Sequence, residues 1–229
     1  MSIDSGVPSY GTPRSPDVPT APVRGRFPAT TLPDEDSRLL DSLTAARAGN
    51  AVAFEAIYRA LAPRLLRYAR GLVGQDAEDI AAEAWLQIVR DLRKFDGDWD
   101  AFRGWAARIL RNRAIDHLRA VSRRPARVGT VDVIADRPST DDTAAAAEES
   151  LSTAAAVELI AALPPDQAEA VLLRVVIGLD ANSAAAVLGK RAGAVRVAAH
   201  RGLKTLAKRL DAAAQESNDT TAGDAGQLT

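Results

Sequence analysis

The segment from Trp105 to Arg119 has two helix faces of opposite character, and this pattern most constrains the fold. One face has the i, i+4 spacing of a buried helical stripe; its members are Ala106, Leu110, Ala114 and Leu118. The opposite face carries guanidinium, amide and carboxylate groups, and we call it the polar ladder: Arg108, Asn112, Asp116 and Arg119. The pattern predicts a helix that packs by one face and offers the other to solvent or a ligand.

Similar helical patterns over residues 34–122 predict a first domain of four helices. We expect them at about 37–48, 52–72, 76–92 and 100–122. Asp76 and Asp100 are the predicted N-caps of the last two. Pro63 is predicted to kink or strain the second helix, because proline removes a backbone donor.

Residues 142–210 predict a second helical domain, so the fold class is all-α with two small domains joined by a flexible linker at 123–141. We expect helices ending before Pro164 and spanning about 166–177, 180–188 and 192–210. Asp166 and Asp180 are the predicted N-caps, and Gly189 the turn. Residues 1–33 are rich in proline and 211–229 are acidic, so both are predicted to be disordered.

Composition excludes several functional classes. The chain has no cysteine and only His117 and His200, so we expect no disulfide, no thiol catalysis, no metal site and no cofactor. We find no phosphate-binding loop and no nucleophile–base pair, and therefore predict that the chain is not an enzyme. Without a long apolar run or a signal pattern, we expect a cytoplasmic protein that does not contact the membrane.

The net charge of −1 hides an uneven distribution. Residues 151–210 carry 8 Lys/Arg against 4 Asp/Glu, whereas residues 211–229 carry 4 acids and no base. A modestly basic domain beside acidic segments predicts weak phosphate affinity, and hence poor DNA binding by the chain alone.

Four of the ten aromatic residues crowd the start of the ladder helix: Phe95, Trp99, Phe102 and Trp105. Aromatic rings beside basic groups and an amide are typical of single-stranded nucleic-acid sites. The alternative is that the rings are core and the charges a solvated face. Between the two tryptophans, we expect Trp99 to be exposed and Trp105 to be buried.

The short helix, glycine turn and longer helix at about 180–204 have the layout of a helix-turn-helix. At the start of the second helix, Arg191, Arg196 and Val197 are candidate base readers. Further along, Arg201 and Lys204 are candidate phosphate contacts, with His200 beside them. The alternative is an ordinary helical bundle with a basic surface.

Taken together, the chain resembles the extracytoplasmic-function sigma factors of bacterial RNA polymerase. Four blocks in order carry the resemblance: AFEAIYRALAPRLLRYARGLVG from Ala53, DAEDIAAEAWLQI from Asp76, FRGWAARILRNRAIDHLR from Phe102, and LPPDQAEAVLLRVVIGLD through GAVRVAAHRGLKTL from Leu163. The family order is a first helix, a polymerase-docking helix, a −10 reading and strand-opening segment, and a −35 reading domain.

The resemblance implies roles for individual residues. The docking set, for the clamp helices of the largest polymerase subunit, is Asp76, Glu78, Asp79, Glu83, Trp85, Leu86 and Gln87. The −10 set is Trp99, Arg103, Arg108, Asn112, Arg113, Asp116 and Arg119, in which Asn112 reads a flipped-out base. The −35 set is Arg191, Arg196, Val197, His200, Arg201 and Lys204.

The partners implied are core RNA polymerase, including its flap for the C-terminal domain, promoter DNA, and an anti-sigma factor of the kind that controls many members. The −10 and −35 elements lie about 70 Å apart, two turns of DNA, so the linker must be drawn out. The competing hypothesis is a stand-alone helix-turn-helix regulator whose helical domain dimerises or senses a ligand. Such a regulator would need neither an acidic docking helix nor a −10 block.

Overall fold

The computed structural model describes residues 33–123 and 144–224, and it is helical without strands in both ranges. The predicted all-α fold with two helical domains is therefore confirmed. The expectations for residues 1–32, for most of the linker and for residues 225–229 lie outside the described residues.

The N-terminal domain contains α1 (Pro33–Arg47), α2 (Ala51–Val73), α3 (Ala77–Asp91) and α4 (Trp99–Arg123). Helix α2 is continuous through Pro63, so the predicted kink does not interrupt it. Its first turn is capped by Asn50, whose side chain accepts from the Ala53 N–H at 3.1 Å. The long α2 contacts each of the other three helices and forms the centre of the domain.

Two predicted caps of this domain are wrong. Asp98 caps α4 in place of Asp100, because its Oδ1 accepts from the Ala101 N–H at 2.8 Å and the helix begins one residue earlier than expected. Asp76 precedes α3 but makes no capping hydrogen bond. Its carboxylate lies 2.8 Å from Nε2 of His117 on α4.

The C-terminal domain contains α5 (Ala144–Ala161), α6 (Pro165–Val171), α7 (Ala181–Leu188) and α8 (Ala192–Asp224). Asp180 caps α7 as predicted, accepting from the Ser183 N–H at 2.6 Å. Asp166 does not cap α6: it lies in the first turn, and its carboxylate is 2.6 Å from Lys190.

Two further boundaries differ from the prediction. After α6 the chain makes one π-helical turn, Leu172–Val176, in which the Ile177 N–H donates to the Leu172 carbonyl at 3.1 Å. Helix α8 continues to Asp224, so the prediction of a disordered tail from residue 211 is wrong over this range. Alanines 212–214 favour helix, which accounts for the extension.

The two domains share one hydrophobic core. Helix α5 and the π-helical turn pack on α2, while α7 packs on α4. The stripe residues Ala106, Leu110 and Ala114 are fully buried, but Leu118 near the end of α4 is exposed, contrary to prediction. The described structure is therefore a closed arrangement of two domains.

Candidate nucleic-acid and protein interfaces

The polar ladder lies on the solvent-facing side of α4. All four of its residues are exposed. Asp116 and Arg119 form a loose ion pair at 3.5 Å, with both side chains mostly in solvent. Such a pair contributes little to stability, so these charges remain available to a ligand. The Asn112 side chain is exposed, so its amide is also available to a ligand.

The aromatic residues at the start of α4 form a packed cluster rather than a row of exposed rings. Trp99 is 5% exposed and stacks on Phe102 with ring centroids 5.6 Å apart. Phe102 also contacts Phe95 edge-on at 5.4 Å. The expectation that Trp99 is exposed is wrong, because its ring completes the core beneath the N-terminus of α4.

Trp105 is the member of this cluster that reaches the surface. It contacts Phe95 at 5.0 Å but remains half-buried, where full burial was expected. It lies three residues before Arg108 and seven before Asn112, which puts it on the ladder face of the helix. This spacing was visible in the sequence and identifies Trp105 as the aromatic residue of the ladder surface.

Arg103 is buried between the domains and cannot contact DNA in this arrangement. Its side chain is 4% exposed; it donates to the Ile177 carbonyl at 3.3 Å and pairs with Asp100. A direct −10 contact by Arg103 requires the two domains to separate, and it stays a prediction. Burial lowers the pKa of nearby Arg64, and the positive charge of Arg103 lowers it further.

Helix α3 presents an acidic and apolar face to solvent. Glu78, Asp79 and Glu83 are exposed on it, as is Asp76 just before it. Leu86, one turn after Glu83, is 68% exposed. An exposed leucine beside carboxylates is typical of a protein-binding surface with a basic partner.

Two residues of the predicted docking set point elsewhere. Trp85 is buried, with its ring 4.7 Å from that of Tyr58, so it supports α3 from the core and the prediction of a direct docking contact is wrong. Gln87 is half-buried, and its Oε1 accepts from Arg113 Nη2 at 2.9 Å and Nε at 3.2 Å. Gln87 therefore joins α3 to α4.

The Asp76–His117 contact is a second tie between these helices. It lies near the start of α3 and the end of α4, whereas the Gln87–Arg113 bonds lie nearer the middle. The exposed acidic face of α3 and the polar ladder of α4 thus lie on two helices joined by side-chain hydrogen bonds. His117 was not among the predicted functional residues.

The helix-turn-helix is formed by α7, a turn at Gly189 with φ of +65°, and α8. Val195, Ala199 and Gly202 face inward. The six predicted −35 residues are all exposed on α8 or at its start: Arg191, Arg196, Val197, His200, Arg201 and Lys204. At the start of α8, Ala192 and Val195 pack against the core, while Arg191, Arg196 and Val197 are exposed, which suits a major-groove reader.

Over residues 33–123 and 144–224, no group of three or more His, Cys, Asp or Glu side chains could hold a metal ion. None of the helices in the same ranges is long and apolar enough to cross a membrane.

Comparison with known proteins assigns each domain. The family model for sigma-70 region 2 matches residues 57–124, and the one for sigma-70 region 4 matches residues 153–206. The chain is 33% identical over 180 residues to the ECF RNA polymerase sigma factor BldN of Streptomyces coelicolor, covering 77% of this chain and 68% of that protein. It is also 33% identical over 185 residues to the ECF RNA polymerase sigma factor SigD of Mycobacterium tuberculosis, covering 76% and 85%.

A solved structure supports the fold. It is the sigma factor RpoE in complex with the anti-sigma factor NepR from Bartonella quintana, with a TM-score of 0.50 and 20% identity. The match covers 69% of this chain and 96% of that chain.

Proposed function

Because the chain belongs to the extracytoplasmic-function family of RNA polymerase sigma factors, we propose a division of labour among three of its helices. As a sigma factor, the chain binds core RNA polymerase and directs it to promoters. In the proposal, α3 docks on polymerase, α4 reads the −10 element and α8 reads the −35 element. The family is not one of enzymes, and the comparisons give no support to a stand-alone regulator.

The observation that carries the proposal is the joining of α3 to α4. Exposed carboxylates and Leu86 on α3 offer a surface to the basic clamp helices of polymerase. The Gln87–Arg113 and Asp76–His117 contacts hold the polar ladder in a set orientation to that surface. Docking of α3 therefore fixes where the ladder meets DNA.

The ladder suits a melted −10 strand. An extruded base loses a few kcal/mol of stacking and pairing, which its pocket must return. The amide of Asn112 offers both a donor and an acceptor to the base edge. Trp105 offers a ring on the same face, and Arg108 and Arg119 offer charge for phosphates.

The C-terminal domain supplies the second contact with the promoter. Arg191, Arg196 and Val197 at the start of α8 suit base edges in the major groove, and Arg201 and Lys204 suit phosphates. The polymerase flap is the proposed protein partner of this domain. An anti-sigma factor is the proposed regulator, since RpoE of Bartonella quintana shares the fold and was solved with one. We locate the activity in the bacterial cytoplasm.

Run-off transcription with bacterial core polymerase on a promoter library tests the proposal. We expect the chain to raise initiation at a subset of promoters above core alone. Glu83→Lys should weaken core binding at least about tenfold, the equivalent of about 1.4 kcal/mol. Asp41→Lys, the same charge change on exposed α1, is the matched control and should leave binding unchanged. An absence of any promoter-specific gain would remove the proposed function.

A further inference from the structure

Ser122, near the end of α4, is a single hydroxyl side chain in a basic stretch of the sequence. Residues 99–129 contain no other serine, threonine or tyrosine, and residues 117–131 contain four arginines and no acid. Three of these arginines lie close to the serine, at positions −3, +1 and +2: Arg119, Arg123 and Arg124. Among the residues that the structure describes, Ser122 is the only serine or threonine with an arginine three positions earlier. Charge spaced in this way around one acceptor is the kind of pattern by which protein kinases select substrates.

The hydroxyl of Ser122 is accessible to another protein. All of residues 118–123 are exposed, so tertiary packing does not hold this end of α4 in place. The Ser122 hydroxyl donates to the Arg119 carbonyl at 3.0 Å, a bond within the same turn of helix. An unpacked helix end opens at little cost in free energy, and a kinase cleft takes its acceptor as an extended chain. The end of α4 therefore presents an acceptor that a kinase can reach.

Ser122 borders the polar ladder and lies on the side of α4 away from α3. It follows Arg119 by three residues, which is about 60° around the helix at 100° per residue, so the two side chains are neighbours. Arg113 and His117, through which α4 contacts α3, lie about 180° and 140° around the helix from Ser122. Charges are screened within about 8 Å at physiological salt. A charge placed on Ser122 therefore acts on the ladder more strongly than on the acidic face of α3.

A phosphate on Ser122 would compete with DNA for the ladder. It carries a charge of about −1.5 to −2 at neutral pH and has three strong acceptor oxygens. Arg119 is 65% exposed and pairs loosely with Asp116 at 3.5 Å, so its guanidinium can turn to a phosphate one helical turn away. Negative charge is also unfavourable at the C-terminal end of a helix, where it loosens the last turn. Both effects remove positive charge from the DNA-facing side of α4.

We propose that Ser122 is a phosphorylation site for a serine kinase that recognises flanking arginines, and that the phosphoserine weakens the contact of the ladder with DNA while leaving polymerase docking intact. In the reaction, the Ser122 Oγ attacks the γ-phosphorus of ATP, the bond to the β,γ-bridging oxygen breaks, and ADP leaves with that electron pair. The hydroxyl proton passes to a carboxylate base of the kinase. The effect on promoters rests on the proposed function, whereas the modification itself does not.

The site is tested on the full chain with ATP and the catalytic domain of an arginine-directed serine kinase, followed by intact-mass measurement and peptide fragmentation. We expect one phosphoryl group, located at Ser122, and none on Ser122→Ala. Arg119→Gln should lower the rate of phosphorylation several-fold. Arg59→Gln is the matched control, because Arg59 is also an exposed arginine in a surface ion pair, and it should leave the rate unchanged. The chain recovered from its native cells should carry the same single group.

DNA binding tests the effect of the modification, with a short random-sequence single strand at low salt as the probe. The phosphorylated chain should bind this strand several-fold more weakly than the unmodified chain. The loss of one phosphate contact should make the log–log salt dependence shallower by about 0.7. The affinity for core polymerase should be the same in both forms. Ser122→Ala keeps every charge of the ladder, so it should bind like the unmodified chain both before and after treatment with the kinase.

Phosphate on another hydroxyl, no uptake of phosphate by the chain, or its absence from the native protein throughout growth would overturn the modification site. Equal DNA affinity before and after phosphorylation at Ser122 would overturn the regulatory effect, and so would an equal loss of core affinity. Transcription with core polymerase separates these failures from that of the proposed function. If phosphorylation of Ser122 weakens DNA binding, yet the unmodified chain never raises initiation, the sigma-factor roles fail and the modification site stands.

Discussion

Trp105 and Asn112 lie on one face of α4 because seven residues complete nearly two helical turns. A base drawn out of the duplex needs both a flat surface and a hydrogen-bonding edge. In the proposed function, the indole ring of Trp105 is the flat surface and the amide of Asn112 is the hydrogen-bonding edge. The half-burial of Trp105 against Phe95 fixes its ring before DNA arrives, so little conformational freedom is lost on binding.

At this scale we expect Trp105→Ala to weaken binding of single-stranded −10 DNA by about 1–3 kcal/mol, the contribution of one stacked base. Trp105→Phe keeps a ring and should retain most of the affinity. Trp99→Ala should act on stability, costing about 3–5 kcal/mol, because it empties a core position. Titration of labelled DNA and urea unfolding measure the two effects. Equal DNA affinity for Trp105→Ala and the unaltered chain would exclude stacking by Trp105.

The two tryptophans also show what local pattern could and could not predict. The pattern predicted the ladder face correctly, since helical spacing alone determines which residues share a side. It could not tell which rings of an aromatic cluster fill the core, because that depends on Asp98 starting α4 one residue early and on how Phe95 folds back. The burial of Arg103 could not be predicted from local pattern either, because the carbonyl that it contacts, at Ile177, belongs to the other domain.

Among the helices, the crossing of α6 and α8 depends on Gly202. A Cβ at this position would lie 2.8 Å from Cγ2 of Val171 and 3.3 Å from Cδ1 of Leu163. Because of this close approach, α8 packs against α6, and the basic side of α8 faces the solvent. The absence of a side chain at Gly202 therefore allows α8 to pack closely on α6.

We expect Gly202→Val to destabilise the C-terminal domain by about 1–3 kcal/mol through overpacking. Gly193→Ala on the same helix is the matched control, because nothing lies within 4 Å of its added Cβ. It should be neutral or stabilising by up to about 1 kcal/mol, the helix preference of alanine over glycine. Urea unfolding followed by circular dichroism measures both. Equal free energies of unfolding for the two variants would show that the close contact of α8 with α6 at Gly202 does not contribute to stability.

Element positions were predicted well from periodicity, although Asp180 is the one correct N-cap of the four predicted. Two further differences at the helix boundaries have physical causes. The π-helical turn at Leu172–Val176 depends on the contacts of Leu172 with Gly71 and of Ile177 with Arg103, which are distant in sequence. The extension of α8 reflects alanine preference, which the acidic composition of the tail concealed. Pro63 was tolerated in α2 because buried Leu61 and Leu65 hold the helix on either side of it.

At the scale of the whole molecule, the distance between the two domains in the described structure differs from the distance that a promoter requires. In the described structure they share a core, whereas the −10 and −35 elements of a promoter lie about two DNA turns apart. The near-neutral net charge of −1 limits binding to DNA in the absence of polymerase. In the proposed function, docking of α3 on polymerase therefore precedes the contact of the ladder with DNA.

The central claim is that core binding and base capture belong to separate surfaces of one helix pair. It is tested most directly by Asn112→Ala in holoenzyme, with core affinity and open-complex formation measured on the same promoter and exposed Ser122→Ala as the control. We predict unchanged core affinity and an open-complex yield reduced about tenfold or more, the loss expected for 1.4 kcal/mol or more of base contact. A fall in core affinity equal to the fall in open complex, or no change in either, would contradict the claim.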